Sequence, residues 1–252
     1  MKVLAIIQAR MGSSRLPNKV LLELVGKPVI QHVIERVKKS KQIDEVVVAT
    51  SIEKNNLELI NVCTSFGTRI FVGSENDVLD RFYQLAKIMN PEIIVRITAD
   101  CPLIDAKLID KVIEKYKSSN ADYVNNKNFP DGMGCEVFSI EVLKKAWENA
   151  VYSSEREHVT PYIRKNMKLD QWAYSEDLFG ERWTLDEPED FEMINKVFEA
   201  LYYDNPDFGI EEIKNFLNEN QDVADINRHI GRDEGYAKSL KKDKIVIEKK
   251  GE

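Results

Sequence analysis

Short apolar runs that alternate with amphipathic segments constrain the fold of this chain more than any other feature. The runs are continuous rather than alternating, which is typical of strands that are buried on both faces of a parallel sheet. The segments between them carry apolar residues at helical spacing. The pattern predicts strands at residues 3–9, 45–50, 69–73, 92–98 and 121–126, and helices at 28–39, 57–66, 78–89 and 108–116. We therefore expect an α/β fold with a mostly parallel sheet and helices on both faces.

The second half of the sequence is less regular. It predicts a loop rich in Gly, Pro and Asn at residues 126–134, short strands at 169–174 and 182–185, and helices at 140–150, 155–165, 188–201 and 210–218. Near the C-terminus, Ile245, Val246 and Ile247 lie among lysines and indicate an edge strand on a charged tail.

Composition excludes several classes of protein. The 252 residues, 43% of them hydrophobic, suffice for a large core with a smaller appendage. A net charge of −7 argues against binding a long nucleic acid, which needs a broad basic face. No apolar run approaches the ~18 residues of a membrane span, and the N-terminal run is too short for a signal sequence. The three cysteines match no disulfide or zinc pattern. We expect a soluble, cytoplasmic protein.

The loop after the first predicted strand is densely cationic. Its polar members are Arg10, Gly12, Ser13, Ser14, Arg15 and Lys19. Cations packed this closely repel one another unless an anion joins them, and loops at the carboxyl ends of parallel strands are where ligands bind. Guanidinium, ammonium and hydroxyl groups with free amides suit a polyphosphate. The alternative is a solvated loop whose arginines pair with surface carboxylates. The loop matches neither the Walker motif nor the dinucleotide fingerprint.

Two aspartates each follow a strand-like run and precede a predicted helix. Asp100 ends the run EIIVRITAD, and Asp186 lies in RWTLDEPED. Both can therefore reach the sheet edge where the cationic loop lies. Two carboxylates beside a triphosphate are suited to a divalent cation, so the pair predicts Mg²⁺ or Mn²⁺. The alternatives are a salt-bridge role for Asp100 and a helix-capping role for Asp186.

Six stretches of the sequence together carry a family signature. They are IIQARMGSSRLPNKVLLELVGKPVIQHVIERV, EVVVATS, GSENDVLDRFYQLA, VRITADCPLID, EREHVTPYI and RWTLDEPEDFEMI. In these stretches the chain resembles the CMP-sugar synthetases, a cytidylyltransferase family that includes the 3-deoxy-manno-octulosonate and acylneuraminate enzymes. It is most similar to the branch of spore coat polysaccharide biosynthesis protein F. The resemblance covers roughly residues 1–200.

The resemblance implies a Rossmann-like fold of the nucleotide-diphospho-sugar transferase type. It implies a nucleotidyltransferase domain at residues 1–202 with an inserted α+β acceptor and dimer segment at about 126–180, followed by a helical and charged extension at 203–252. The implied enzyme is a homodimer that uses Mg²⁺ or Mn²⁺. The implied reaction transfers CMP from CTP to a hydroxyl of an acidic sugar or related acceptor, releasing pyrophosphate, in surface polysaccharide biosynthesis.

Carried over by position, the resemblance also assigns roles to residues. Those implied to bind the nucleotide are Ala9, Arg10, Gly12, Ser13, Arg15, Lys19, Arg81 and Asp100. Among them Arg10, Lys19 and Asp100 would be catalytic, and Asp100 would hold the metal together with Asp186. His158 and Arg164 would meet the acceptor.

One departure from the family leaves alternatives open. Octulosonate enzymes carry Gln-Gly-Asp where this chain has Thr98, Ala99 and Asp100, and the acylneuraminate pattern is also absent. The departure weakens the inference to cytosine, and neither of those two acceptors transfers to this chain. The remaining alternatives are a cytidylyltransferase for a phosphonate or other non-sugar alcohol, a nucleoside-diphosphate-sugar pyrophosphorylase, and a non-catalytic nucleotide-binding protein. The glycine-poor loop disfavours the second, and the cations and acids together disfavour the third.

Overall fold

A computed structural model of the chain describes residues 1–232 and 234–247. The strands in this part are β1 (Val3–Gln8), β2 (Glu23–Leu24), β3 (Lys27–Pro28), β4 (Glu45–Ser51), β5 (Arg69–Gly73), β6 (Ile93–Thr98), β7 (Tyr123–Lys127), β8 (Glu136–Ser139) and β9 (Leu169–Ala173). Seven form one sheet in the order β5–β4–β1–β6–β8–β7–β9, and β2 pairs with β3. Strand β8 runs antiparallel to β6 and β7, whereas the other pairs in the large sheet are parallel.

Helices connect the strands and cover the sheet. They are α1 (Val29–Lys38), α2 (Leu57–Ser65), α3 (Val78–Met89), α4 (Ala106–Ser118), α5 (Ile140–Asn149), α6 (Ser153–His158), α7 (Pro161–Asn166), α8 (Pro188–Leu201), α9 (Ile210–Glu219), α10 (Gln221–Ala224) and α11 (Glu234–Lys241). None of the helices in the described residues is long and apolar enough to cross a membrane.

Both faces of the sheet are buried under apolar side chains. In β1, Val3, Ala5 and Ile7 enter one core cluster with side chains of α1, α4, α8 and α9. Leu4 and Ile6 enter a second cluster with side chains of α3, α5 and α7. Successive strand residues thus face opposite cores, which explains the continuous apolar runs. The expected α/β fold with a mostly parallel sheet is confirmed.

The predicted strand at 182–185 is wrong. Arg182 makes a single bridge with Asp131, and the following residues bond to two different loops. The amide of Trp183 donates to Asp131, and that of Leu185 donates to the carbonyl of Asp100 at 2.9 Å. Gly132 permits this approach: its φ is 93°, and a Cβ there would lie 2.4 Å from the amide nitrogen of Thr184.

The sequence pattern missed one strand and predicted another that is shorter in the structure. The four-residue strand β8 was not predicted, because EVFS is too short to show a period. The edge strand expected at residues 245–247 is only one bridge between Ile245 and Tyr152, with one further bond from the amide of Val246 to the carbonyl of Val151.

The segment after residue 202 does not lie apart from the main body. Phe208, Ile213 and Leu217 pack into the first core cluster, with at most 5% of their surface exposed. The domain boundary at 202 stays a prediction, but these contacts join residues 208–217 to the same core. Residues 248–252 of the predicted charged extension lie outside the described residues.

Candidate active site

The cationic loop folds back over the carboxyl ends of β1 and β6. The amide of Met11 donates to Oδ1 of Asn56, and the amide of Ser13 donates to the carbonyl of Met11, each at 2.9 Å. Asn18 then turns the chain with φ 58°, a left-handed conformation that asparagine tolerates. A short 3-10 turn at Lys19–Leu21 follows. These bonds hold the loop over the end of the sheet.

Lys19 joins the two aspartates that follow strand-like runs in the sequence. Its Nζ donates to Oδ2 of Asp100 and to Oδ1 of Asp186, both at 2.7 Å. Burial lowers the pKa of Lys19, but the two carboxylates outweigh burial and raise that pKa above its ordinary value. Burial also raises the pKa of Asp100, but Lys19 outweighs it and lowers the pKa to about 2. An ammonium and two carboxylates therefore form an ionised triad.

The two guanidinium groups of the loop are paired as well. Nη1 of Arg10 lies 2.9 Å from Oε1 of Glu75. Arg15 contacts Asp186 at 3.0 Å and Glu187 at 2.7 Å. The ion pairs expected under the alternative interpretation, in which the loop arginines pair with carboxylates, are thus present. Asp186, a partner of Arg15, lines the same cavity as the loop, however, so a polyphosphate there would compete for that guanidinium.

Arg81 lies away from the position expected of a phosphate ligand. Its side chain is buried, and the residue is 1% exposed. Its guanidinium donates to the carbonyls of Ser74, at 2.9 and 2.5 Å, and of Glu75, at 3.2 Å. Arg81 does not line the loop cavity, and direct contact of this residue with the triphosphate stays a prediction. Arg81 instead fixes the turn that carries Glu75, the partner of Arg10.

A buried carboxylate on α8 positions Asp186. Asp190, 0% exposed, accepts from the guanidinium of Arg182 at 2.8 and 2.7 Å and from Asn227 at 2.8 Å. It also accepts from the amides of Asp186 and Glu187, each at 2.9 Å. Burial raises the pKa of Asp190, but Arg182 and the other donors outweigh burial and lower it. The helix cap is therefore made by Glu187 and Asp190, which leaves the carboxylate of Asp186 free for the triad.

Two cavities open at this end of the sheet and share a wall. The first, about 320 Å³, is the loop cavity, and its predicted members are Ala9, Arg10, Gly12, Ser13, Arg15, Lys19 and Asp100. The second, about 360 Å³, is the arginine cavity, named for the guanidinium groups of Arg15, Arg96, Arg164, Arg182 and Arg232. Asp100, Asp186 and His158 line both cavities. The cavities thus meet at the aspartate pair.

An ion pair across the sheet fixes one wall of the arginine cavity. Arg96 on β6 and Glu136 on β8 are register partners and pair with each other. The hydroxyls of Tyr123 and Thr160 donate to the same carboxylate at 2.5 and 2.7 Å. Burial raises the pKa of Glu136, but Arg96 and these hydroxyls outweigh burial and lower it. Nε of Arg96 is buried without a hydrogen-bond partner among the described residues.

A strained turn directs His158 into the shared wall. Val159 has φ 69° and ψ −54°, and the amide of Thr160 donates to the carbonyl of His158 at 2.8 Å. Positive φ at a β-branched residue costs about 1–3 kcal/mol, a strain that collects at functional sites. This turn divides the helix predicted at 155–165 into α6 and α7. Burial lowers the pKa of His158, so its imidazole is neutral at pH 7.

Arg164, the other expected acceptor residue, faces the arginine cavity from α7. Its guanidinium carbon lies 5.6 Å from the ring centre of Tyr236. Within residues 1–232 and 234–247 it forms no ion pair. An exposed guanidinium without a carboxylate partner suits a carboxylate or phosphate of a ligand.

The oxygen donors at the junction fit a Mg²⁺ ion that is shared with substrate. Because Asp100 and Asp186 each reach Nζ of Lys19 at 2.7 Å, the two carboxylates face one shared cation position. In the described part of the chain, no group of three or more His, Cys, Asp or Glu side chains is arranged to hold a metal. Phosphate and water would complete the coordination, as Mg²⁺ prefers. Lys19 would compete with the ion.

Sequence reasoning missed several residues of these cavities. Arg96 had a signal, because a lone arginine interrupts the apolar run IIVRIT. Arg182 is the first residue of the stretch RWTLDEPEDFEMI, but its contact with Asp190 could be seen only in the structure. Glu136 and Tyr236 had no signal, since their positions depend on β8 and α11.

The chain is similar to several known proteins. The family model described as Cytidylyltransferase matches residues 4–229. The spore coat polysaccharide biosynthesis protein SpsF of Bacillus subtilis is 35% identical, with 88% of this chain and 96% of that protein covered. An uncharacterized protein of Methanocaldococcus jannaschii is 42% identical, with 91% and 96% covered. The solved structure of a cytidylyltransferase from Leptospira borgpetersenii has a TM-score of 0.84 at 32% identity, with 89% of this chain and 97% of that chain covered.

Proposed function

The chain belongs to the cytidylyltransferase family, and from this premise we propose that it transfers CMP from CTP to a hydroxyl of an acidic sugar or related acceptor. Pyrophosphate is the second product. The observation that carries the proposal is the pair of cavities that meet at Asp100 and Asp186, because a two-substrate transfer needs two sites with one junction. The name of the Bacillus subtilis relative supports a role in surface polysaccharide biosynthesis.

The loop cavity is the proposed site of the CTP triphosphate. Arg10, Arg15 and Lys19 line it, and each is paired with a carboxylate. A triphosphate carries more charge than any one of these carboxylates and accepts several hydrogen bonds at once, so it would compete for the cations. Cations at this position would stabilise the charge that grows on the leaving pyrophosphate.

The arginine cavity is the proposed acceptor site. The acceptor oxygen attacks the α-phosphorus as the bond from that phosphorus to the pyrophosphate oxygen breaks, and the hydroxyl proton of the acceptor passes to solvent water. Arg164 and Arg96 would bind an acidic group of the acceptor and orient its hydroxyl toward the junction. Lys19 lowers the pKa of Asp100, which keeps this carboxylate ionised and suits it to an electrostatic role.

We propose that Asp100 and Asp186 hold Mg²⁺ or Mn²⁺ together with the triphosphate. When bound, such an ion neutralises phosphoryl oxygens and orients the reacting groups. Lys19 would then shift toward the phosphates, because one ammonium and one divalent cation do not fit between the same two carboxylates.

We also propose that the protein is cytoplasmic and forms a homodimer. The three cysteines are buried and unpaired, which supports a reducing compartment such as the cytoplasm. A homodimer would give a particle of twice the 29.1 kDa chain mass, and sedimentation equilibrium measures it directly. Strand β9 offers an unpaired sheet edge with Leu169 45% exposed, which supports an interface in the 126–180 segment.

A screen of nucleotides and acceptors tests the function. Pyrophosphate release is measured with each of the four nucleoside triphosphates and a panel of sugar acids, sugar phosphates and phosphonate alcohols. We expect release with CTP that depends on a sugar acid. Release that requires a sugar phosphate would favour the pyrophosphorylase alternative, a phosphonate alcohol would favour the non-sugar alternative, and no release would favour a non-catalytic protein.

A further inference from the structure

We propose that the C-terminal segment 234–247 completes the acceptor side of the site and that Tyr236 is its contact with the acceptor. The inference rests on the proposed function and adds a specificity-determining residue to it. The segment lies beyond residue 229, where the family match ends.

Helix α11 is seated on α6 beside the shared wall of the two cavities. The hydroxyl of Ser239 donates to Oε2 of Glu157 at 2.9 Å. Nε2 of His158 lies 2.9 Å from the same hydroxyl. Because the one hydroxyl proton goes to Glu157, Nε2 of His158 is the donor in the second bond. The cavity residue His158 is thus oriented by α11.

The chain after α11 is fastened to the start of α6. The carboxylate of Asp243 accepts from the amide and hydroxyl of Ser154, at 2.9 and 2.8 Å, and from the hydroxyl of Ser153 at 3.0 Å. The amide of Ser153 donates to the carbonyl of Lys244 at 2.8 Å. These bonds hold the segment in place without any contribution from Tyr236.

Tyr236 itself faces the arginine cavity. Its ring lies edge-on to His158, with 5.0 Å between the ring centres and 81° between the planes. The guanidinium of Arg164 lies over the same ring at 5.6 Å. Gly235, the preceding residue, lines both cavities. Imidazole, phenol and guanidinium groups thus form one continuous wall of the arginine cavity, which reaches the junction of the cavities at His158.

The chemistry of this wall suits a polyhydroxylated acid. The phenol ring offers an apolar face and a polar tip, a combination that packs well against a ring bearing both C–H and O–H groups. The hydroxyl of Tyr236 has no hydrogen-bond partner within the described residues, so it is available to a ligand. Arg164 supplies the positive charge for an acidic group on the same molecule.

The test uses the full-length protein with Tyr236→Ala, Tyr236→Phe and the control Tyr203→Ala, since Tyr203 is 75% exposed and lines neither cavity. The panel above first identifies the acceptor with wild type. We expect Tyr236→Ala to raise the acceptor KM at least tenfold while the CTP KM stays within twofold. Tyr236→Phe separates the hydroxyl from the ring and should give an intermediate acceptor KM.

A second measurement needs no acceptor. The imidazole signal of His158, assigned with His158→Gln, is titrated by NMR in wild type and Tyr236→Ala. Loss of the covering ring should raise the His158 pKa toward its ordinary value. An acceptor KM unchanged in Tyr236→Ala, or an equal rise in both KM values, overturns the acceptor contact. If no panel member is turned over, the proposed function fails, and an unchanged His158 titration overturns the seating of Tyr236 independently.

Discussion

Nζ of Lys19 lies 2.7 Å from Oδ2 of Asp100, across 81 positions of sequence. The same ammonium reaches Asp186 at the same distance, so one cation bridges the two aspartates. The two carboxylates are thereby held together at the sheet edge, where we propose that a divalent cation takes the place of the ammonium. The exchange of one cation for another is the basis of the first two predictions.

Lys19→Met should weaken CTP binding and make the melting temperature of the protein more sensitive to Mg²⁺. Loss of the charge-assisted bonds should cost about 1.5–3 kcal/mol, or roughly 10- to 100-fold in CTP affinity. Without the ammonium, the two carboxylates repel, so Mg²⁺ alone should raise the melting temperature of this variant more than that of wild type. Titration calorimetry and thermal scans check both effects. Lys27→Met removes a lysine that pairs with Glu35 and is the control.

Asp100→Asn should keep the fold and lower kcat by orders of magnitude, because it removes a charged oxygen ligand. Asp186→Asn should do the same. The double variant should be scarcely worse than either single variant, since both carboxylates act through one ion. EDTA should abolish wild-type turnover, and added Mg²⁺ or Mn²⁺ should restore it. Full activity of Asp100→Asn in EDTA-treated buffer contradicts the metal assignment.

Asp190→Asn should slow turnover without removing a group that lines either cavity. The variant keeps the side-chain shape. It loses the negative charge of the carboxylate that accepts hydrogen bonds from Arg182 and from the amides of Asp186 and Glu187. Breaking a buried ion pair costs up to about 3–5 kcal/mol, so urea unfolding should show a large loss of stability. The kcat of the fraction that remains folded should also fall. Glu189→Gln, on the exposed side of α8, is the control and should change neither quantity.

Glu75→Gln should tighten CTP binding. The change removes the nearer of the two carboxylates that pair with Arg10, the other being Glu157 at 3.8 Å, while it preserves the side-chain shape. We expect a severalfold lower dissociation constant for CTP, measured by calorimetry at constant ionic strength. Glu58→Gln, an exposed change on α2, is the matched control. Weaker binding in Glu75→Gln would show that Glu75 organises Arg10 for the nucleotide rather than competing with it.

Stability should depend on pH through His158. Burial holds its folded-state pKa below 6.5, so the unfolded chain takes up the proton first as pH falls. The contribution of His158 to stability is full above about pH 6.5 and declines below it. The unfolding free energy of wild type should therefore fall relative to that of His158→Gln between pH 8 and 5.5. Equal slopes for the two proteins would contradict this assignment.

The sequence predicted the fold of the N-terminal half of the chain well. Apolar strands and amphipathic helices through residue 118 follow local periodicity, and helix α3 occupies the predicted residues 78–89. Beyond that point the insertion of β8 between β6 and β7 is a long-range pairing that no local pattern encodes. The turn at Val159 is likewise imposed by tertiary packing, because its positive φ is unfavourable for valine.

The site was predicted as a set of residues, but its contacts were not. Arg10, Lys19 and Asp100 share a cavity because loops at the carboxyl ends of parallel strands converge, which the sequence implies. Arg81 shows the limit of this reasoning. Helical spacing decides which face it occupies, and that face is buried beneath the turn at Ser74. Whether a cation faces solvent or a carbonyl depends on packing that one sequence does not reveal.

The fate of the phosphates tests the central claim most directly. The protein is incubated with Mg²⁺, the acceptor found by the screen, and CTP labelled with ³²P at either the α or the γ position. We predict that α label appears in a new compound containing CMP and the acceptor, while γ label appears only in pyrophosphate. Transfer of γ label to the acceptor, or release of labelled orthophosphate without a CMP adduct, would contradict the account.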